Sequence, residues 1–458
     1  MKNAPALIRF STVVWLVSLG AACGGGGSSG TPGGGGSTGA AGSAGTNGGA
    51  GATATAGVTG SAGTMATAGA TGAAGATATA GTTGSAGASG GAGAGGATST
   101  AGTTGTAGAT ASAGTTGGAG TPGLTDPGTA GDGDFTLPSG HPLDPLNTEM
   151  GSPKGTIFTF VMKSTDSKIY PGVRGAYMRN VWVYVPKQYV PGTPAPLITV
   201  QDGGFLVWLG TKEPHTPDSG TATTLPGTTN LPRVLDNLIA MGKLPKIVAL
   251  FVDNGGGDAE GSERGLEYDT VSGKYAEFVD QEVLPRAVAE AKSQLQLELA
   301  FTKDPQGRAT LGGSSGGAAA FSMAWWHPDL FGRVIAYSGT FVRQASPENP
   351  LYPHGCWSYH DYDPYDATAP NGLIVKEATT KPIRVWLEAA QNDSGAGSGP
   401  GSYRDFRLAN QRMAASLKLK GYHYHFDLAM GAGHFDGGVI GQTMPAALLW
   451  LWRGYPVD

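Results

Sequence analysis

Ser314 sits among glycines in Gly312-Gly313-Ser314-Ser315-Gly316-Gly317. This is a G-x-S-x-G pattern of the kind that presents a serine hydroxyl for attack on an acyl carbon. The pattern by itself distinguishes little, because it also occurs at Ser28, Ser37 and Ser89, and a shifted register centres it on Ser315. Context singles out Ser314. Ala309-Thr310-Leu311 reads as a strand end, and Gly317-Ala318-Ala319-Ala320-Phe321 opens a helix with no bulky side chain in its first turn. A sharp strand-to-helix elbow strains the nucleophile's backbone, and glycines two residues either side remove the clashes at the crossing. In this register Ser315 supplies one backbone N–H to an oxyanion. A glycine-rich turn that binds an anion at a helix N-terminus is the plainer use of the same residues.

A serine hydroxyl needs a base within hydrogen-bond reach, and the base needs an orienting acid. Where an elbow of this kind occurs, the chain order is serine, acid, histidine. Of the eight histidines, His141 and His215 precede Ser314, His327 lies in or just past the helix that follows it, His354 and His360 come before the strand Ile383–Leu387, and His423 and His425 lie within an alternating strand. His434 alone follows the last strand, in Gly431-Ala432-Gly433-His434, and is the expected base. For the acid, the strand Ile383–Leu387 is followed by Glu388-Ala389-Ala390-Gln391-Asn392-Asp393. Asp393, in the turn, is the expected acid, and Glu388, at the strand end, is the fallback. A turn-forming aspartate would look the same. The second oxyanion N–H is expected from Gln201-Asp202-Gly203-Gly204-Phe205, with Gly204 ahead of Phe205.

These residues must be held by a sheet. Gly155–Met162, Asn180–Val185, Pro196–Val200, Lys246–Val252, Arg308–Leu311, Val334–Tyr337, Ile383–Leu387 and Tyr422–Leu428 read as strands. Leu231–Met241, Lys274–Gln294 (kinked at Pro285), Gly316–Trp326, Tyr403–Leu419 and Val439–Trp452 read as helices. Early strands followed by β-α-β alternation predict a mostly parallel central sheet with helices on both faces. Apolar runs such as Ile247–Val252 suit a doubly covered sheet, whose ligands bind at the carboxyl ends of the strands.

Composition divides the chain differently. From Gly24 to Thr125 there is no charged and no aromatic residue, only Gly, Ala, Thr and Ser with a few others. Such a segment cannot bury enough apolar surface to offset its ordering entropy and is expected to be a disordered linker. Its r.m.s. span would be roughly 50–60 Å. Lys2 and Arg9 precede an apolar stretch, Phe10–Leu19, and small residues, Gly20-Ala21-Ala22, which reads as an export signal over residues 1–22. Cys23 follows directly, as in a bacterial lipoprotein signal, although Gly20 stands where an aliphatic residue is favoured. The expected layout is signal 1–22, linker 23–133 and one α/β domain 134–458. The protein would be exported and tethered to the outer membrane or cell surface through a lipidated Cys23, or freely secreted. With Cys23 lipidated, Cys356 has no disulfide partner and reads as a packed thiol. The net charge of -5 argues against a nucleic-acid partner.

Taken together, Gln201-Asp202-Gly203, Arg264 with Glu267-Tyr268, Leu311–Gly317, Asn392-Asp393 and Gly431–His434 resemble the esterase family that includes esterase D, feruloyl esterases and enterochelin esterase. The resemblance runs from about Phe158 to Pro456. It implies an α/β-hydrolase fold and a triad of Ser314, Asp393 and His434. Gln201-Asp202-Gly203-Gly204 stands where many relatives have a His-Gly pair. The expected activity is hydrolysis of a carboxylic ester, on a small molecule or linked to polysaccharide, through an acyl-enzyme. An acyltransferase with the same triad and an inactive surface-displayed binding module are the rivals. Tyr352–Asp366 reads as a lid or a packed loop. No H-E-x-x-H, Cys/His cluster or calcium loop is present, and Asp361, Asp363 and Asp366 lack the glycine pattern of one, so no metal or cofactor is expected.

Overall fold

A computed structural model describes residues 127–172, 175–205, 230–256, 262–344, 349–363, 366–399 and 402–457. The export signal, Cys23 and the linker up to residue 126 lie outside the described residues.

Nine strands form one sheet: β1 Gly133–Leu137, β2 Thr156–Lys163, β3 Met178–Val185, β4 Leu197–Gln201, β5 Val248–Val252, β6 Arg308–Gly313, β7 Arg333–Tyr337, β8 Arg384–Asn392 and β9 His423–Gly433. Their order across the sheet is β1-β9-β8-β7-β6-β4-β5-β3-β2. β2 pairs antiparallel with β3, and β3 with β5, while every other neighbour is parallel. The helices are α1 Leu231–Ala240, α2 Glu263–Tyr268, α3 Lys274–Phe278, α4 Leu284–Leu295, α5 Ser315–Trp326, α6 Phe406–Lys420 and α7 Gly437–Leu451. This is the α/β-hydrolase arrangement.

Both faces of the sheet are covered, which explains the unbroken apolar strands. Val248, Leu250 and Val252 of β5 pack into one cluster with α5, while Ala249 and Phe251 join the opposite cluster with α1 and α7. Burial is complete for all five residues, so neither face of β5 meets water. The kink expected at Pro285 takes the form of a π-turn, Val279–Val283, between α3 and α4. Proline has no N–H to give and its ring crowds the carbonyl four residues back, at Gln281, so the helix widens there.

Two of these elements went unread in the sequence. β1, with the sequence GDFTL, is a mostly exposed edge strand and carries no apolar run. α2 is short, capped by the Ser262 side chain on the Gly265 N–H, and largely buried. Contacts of the folded part reach back before residue 134. The Pro127 carbonyl accepts from Arg453, and Asp132 Oδ2 lies 2.7 Å from His423 Nδ1. The segment around 352–366 is packed where it is described: Cys356, Trp357, Tyr359 and His360 are buried. The Tyr359 hydroxyl meets Ser322 and Trp326. Burial pushes the Cys356 thiol well up, as suits an inert packed cysteine.

Candidate active site

Three parallel strands carry the site at their carboxyl ends, β8 and β9 side by side and β6 one strand away across β7. β6 ends at Gly313, β8 at Asn392 and β9 at Gly433, so Ser314, Asp393 and His434 each follow a carboxyl end. Ser314 caps α5 with φ 55° and ψ −128°, a conformation an L-residue adopts only when its surroundings impose it. Here the imposition is visible. The Ser314 N–H bonds to Tyr337 at the end of β7, and its carbonyl accepts from Gly317, Ala318 and Thr340.

The Ser314 hydroxyl oxygen lies 2.9 Å from His434 Nε2, and His434 Nδ1 lies 2.6 Å from Asp393 Oδ1. Asp393 is held in turn by the Ala390 N–H on Oδ2 and the Ser394 N–H on Oδ1. Its side chain is fully buried, whereas the His434 ring is 29% exposed and meets the edge of Phe406. The Thr340 hydroxyl lies 3.4 Å from that of Ser314. The structure thus brings together all three residues that the chain order singled out. Glu388, the fallback acid, points elsewhere: it is buried under Ser338, whose hydroxyl lies 3.5 Å away. Burial, then Asp393 and Asp427, push its carboxyl well above the usual range.

Ser315 is the first residue of α5, so its N–H has no acceptor inside the helix. The Gly204 expectation requires correction. The Gly204 N–H donates to Asp253 Oδ1 at 3.1 Å, which leaves it committed within the fold. Asp253 is buried, a condition that pushes its carboxyl up to about 6, and a buried carboxyl takes donors wherever the backbone supplies them.

Ser314 opens into a cleft of about 720 Å³ whose walls include Asp202, Arg264, Gln344, Ser394 and Arg404. Asp202, at the end of β4 with φ 54°, was read only as part of a turn. Its carboxylate takes Arg264 through Nη2 at 2.6 Å and Nε at 3.0 Å, and Asn254 Nδ2 at 2.6 Å. Burial opposes the charge on Arg264, but Asp202 more than offsets it and holds the guanidinium above its ordinary value. Arg264, one of the residues that carry the family resemblance in the sequence, is half of an ion pair that also lines the cleft. Asp202 sat in a quoted motif but gave no sign of its partner. Arg404 and Thr340 gave no signal at all. Among the described residues no group of three or more His, Cys, Asp or Glu is placed to hold a metal.

An iron(III) enterobactin esterase of Dickeya dadantii (strain 3937) is 29% identical over 210 residues, 44% of this chain and 40% of that protein. The chain therefore spans well under two thirds of that relative's length. Among solved structures, the enterobactin esterase of Shigella flexneri is 19% identical with a TM-score of 0.43, covering 68% of this chain and 63% of that one. The CE1 ferulic acid esterase of Anaeromyces mucronatus is 15% identical with a TM-score of 0.42, covering 68% and 95%. The model of the Esterase family, described as "Putative esterase", matches residues 177–445, more than half of the chain, and the chain belongs to that family.

Proposed function

We propose that the protein is a serine hydrolase of carboxylic esters that works through an acyl-enzyme on Ser314. The observation that carries this reading is the unbroken hydrogen-bonded run from Ser314 through His434 to Asp393, at the mouth of a cleft. His434 Nε2 takes the hydroxyl proton as Ser314 attacks the ester carbonyl. Asp393 fixes the imidazole tautomer and stabilises the cation that forms. The Ser315 N–H steadies the oxyanion. Collapse returns the proton from His434 to the departing alcohol. Water, activated by the same imidazole, then releases the acid.

Polar side chains are the majority in the cleft's lining, with the Asp202–Arg264 pair on one wall, which suits a polar ester, free or linked to polysaccharide. Its family and its enterobactin-esterase relative support the same class. The export signal and Cys23 support a protein carried out of the cytoplasm and held by a lipid on Cys23. Ser314→Ala tests the chemistry. The variant should lose p-nitrophenyl acetate turnover by a factor on the order of 10⁵ to 10⁶ and escape labelling by a fluorophosphonate probe. Turnover within tenfold of the parent would sink the assignment.

A further inference from the structure

The opposite end of the sheet carries an unusual row of charges. The first residues of four adjacent parallel strands are Arg308, Arg333, Arg384 and His423, on β6, β7, β8 and β9. Arg384 stands directly across from Arg333 on one side and His423 on the other. Like charges directly opposite on neighbouring strands repel, so this pattern is costly unless something answers it. Part of the answer is internal. Arg333 donates to the backbone carbonyls of Gln306 and Leu451, and Arg384 donates to that of Trp450 and stacks on its ring at 3.8 Å. Two guanidiniums thus meet the last carbonyls of α7, where the helix dipole is negative. Asp132 reaches Arg384 at 3.5 Å and His423 at 2.7 Å.

That answer is incomplete. Arg333 is 3% exposed, and it donates to carbonyls rather than to a carboxylate. Burial and the neighbouring Arg384 depress its guanidinium below the ordinary value. Around it opens a cleft of about 730 Å³, lined also by Arg384, Lys381, His423, Arg453 and the hydroxyl-bearing Thr380. None of its lining residues is an Asp or Glu. Asp132 pairs with Arg384, and Glu377 pairs with Lys381 at 2.9 Å, whereas Arg333 and Arg453 meet carbonyls, so the concavity gathers four cations, two of them met by no carboxylate among the described residues. They match a phosphate group, whose charge and oxygens can meet more than one guanidinium or ammonium.

We infer that the basic cleft at the amino ends of β7, β8 and β9 is a binding site for a phosphate group, borne by a lipid headgroup or a soluble ligand. The cleft lies at the end of the sheet opposite Ser314, and Pro127, where the described chain begins, is on its lining. A phosphate held there would leave the Ser314 cleft facing away from whatever bears it.

Lys381→Gln with Arg453→Gln tests the site at its rim without removing the buried Arg333. In the full chain, millimolar inorganic phosphate should raise Tm by roughly 3 °C over chloride of equal ionic strength. The double variant should lose that rise and keep its p-nitrophenyl acetate turnover. An equal rise in parent and double variant, no rise in the parent, or an equal rise with acetate overturns the inference. Sedimentation with phosphatidylcholine vesicles, with and without phosphatidic acid, separates the sources, using Cys23→Ser chains so that no acyl group contributes. Pelleting that needs phosphatidic acid and is lost in the double variant assigns the phosphate to a lipid headgroup. A phosphate-dependent Tm rise without pelleting assigns it to a soluble ligand.

Discussion

Glu388 and Asp393 lie five residues apart at the end of β8 and meet opposite surroundings. Asp393 receives two backbone N–H groups and the His434 ring. Glu388 faces Asp427 across β9 and Tyr337 across β7, and its Oε1 is buried with no hydrogen-bond partner. With its carboxyl pushed well above the ordinary value, Glu388 keeps its proton in the folded state when the unfolded chain has lost it. The native state then binds more protons, so stability falls as pH rises from the ordinary glutamate range toward the folded value. Asp253 and Asp269, both pushed up to about 6 by burial, act in the same direction but only between their ordinary values and about pH 6. Glu388→Gln should therefore separate from the parent as pH rises above the ordinary glutamate range, because Asp253 and Asp269 contribute equally to both. The variant should gain on the parent by up to about 1.4 kcal/mol for each pH unit between the ordinary glutamate value and the raised folded one. Urea unfolding across that range measures it, and parallel profiles would show that Glu388 is ionised in the fold. The sequence named both acids and ranked them by their distance from the strand end. What sorts them physically is burial and the donors around each, and neither is encoded in spacing.

The elbow between β6 and α5 shows how unequal the motif's glycines are. A side-chain carbon on Gly312 would strike the backbone carbonyl of Gly316, and one on Gly313 the Phe435 ring. A carbon on Gly316 would meet Gln201 Cβ at 3.3 Å and Asp202 Oδ2 at 3.4 Å, tight but against side chains. Gly312→Ala has to push the helix off the strand and should cost about 2–4 kcal/mol or prevent folding, whereas Gly316→Ala should cost about 1 kcal/mol. Thermal denaturation of the two variants checks the ranking, and equal losses would refute it. The strands and helices around the elbow were legible because each buries one or two apolar faces with a clear period. β1 was not, because an exposed edge strand needs no such pattern, and α2 was not, because six residues are too few to show one. The turn after β4 was read correctly as glycine-rich, yet its Gly204 N–H could not be assigned without knowing that Asp253 lies beneath it.

At the scale of the whole chain, composition drew the folded boundary at residue 134, and the contacts place folded chain as far back as Pro127. The reason is that the residues between do their packing through backbone and a single acid. The Gly131 carbonyl lies 2.7 Å from His425 Nδ1, and Asp132 pairs with His423 and Arg384. β1 then closes the edge of β9 and lays Phe135 against the His425 ring, which itself stacks on Trp386 with centroids 3.6 Å apart. Each of these partners lies at or beyond residue 127. A chain starting at residue 127 should match the full-length protein in Tm and in kcat/KM on a soluble ester. A chain starting at residue 139 loses β1, uncovers the His425–Trp386 stack and leaves β9 as an open edge, a known route to aggregation. It should be less stable by roughly 2–4 kcal/mol and poorer in soluble yield. Melting curves of the three chains decide the point. If the chain starting at 139 melts with the other two, β1 is an ornament on the sheet and the folded unit starts after it.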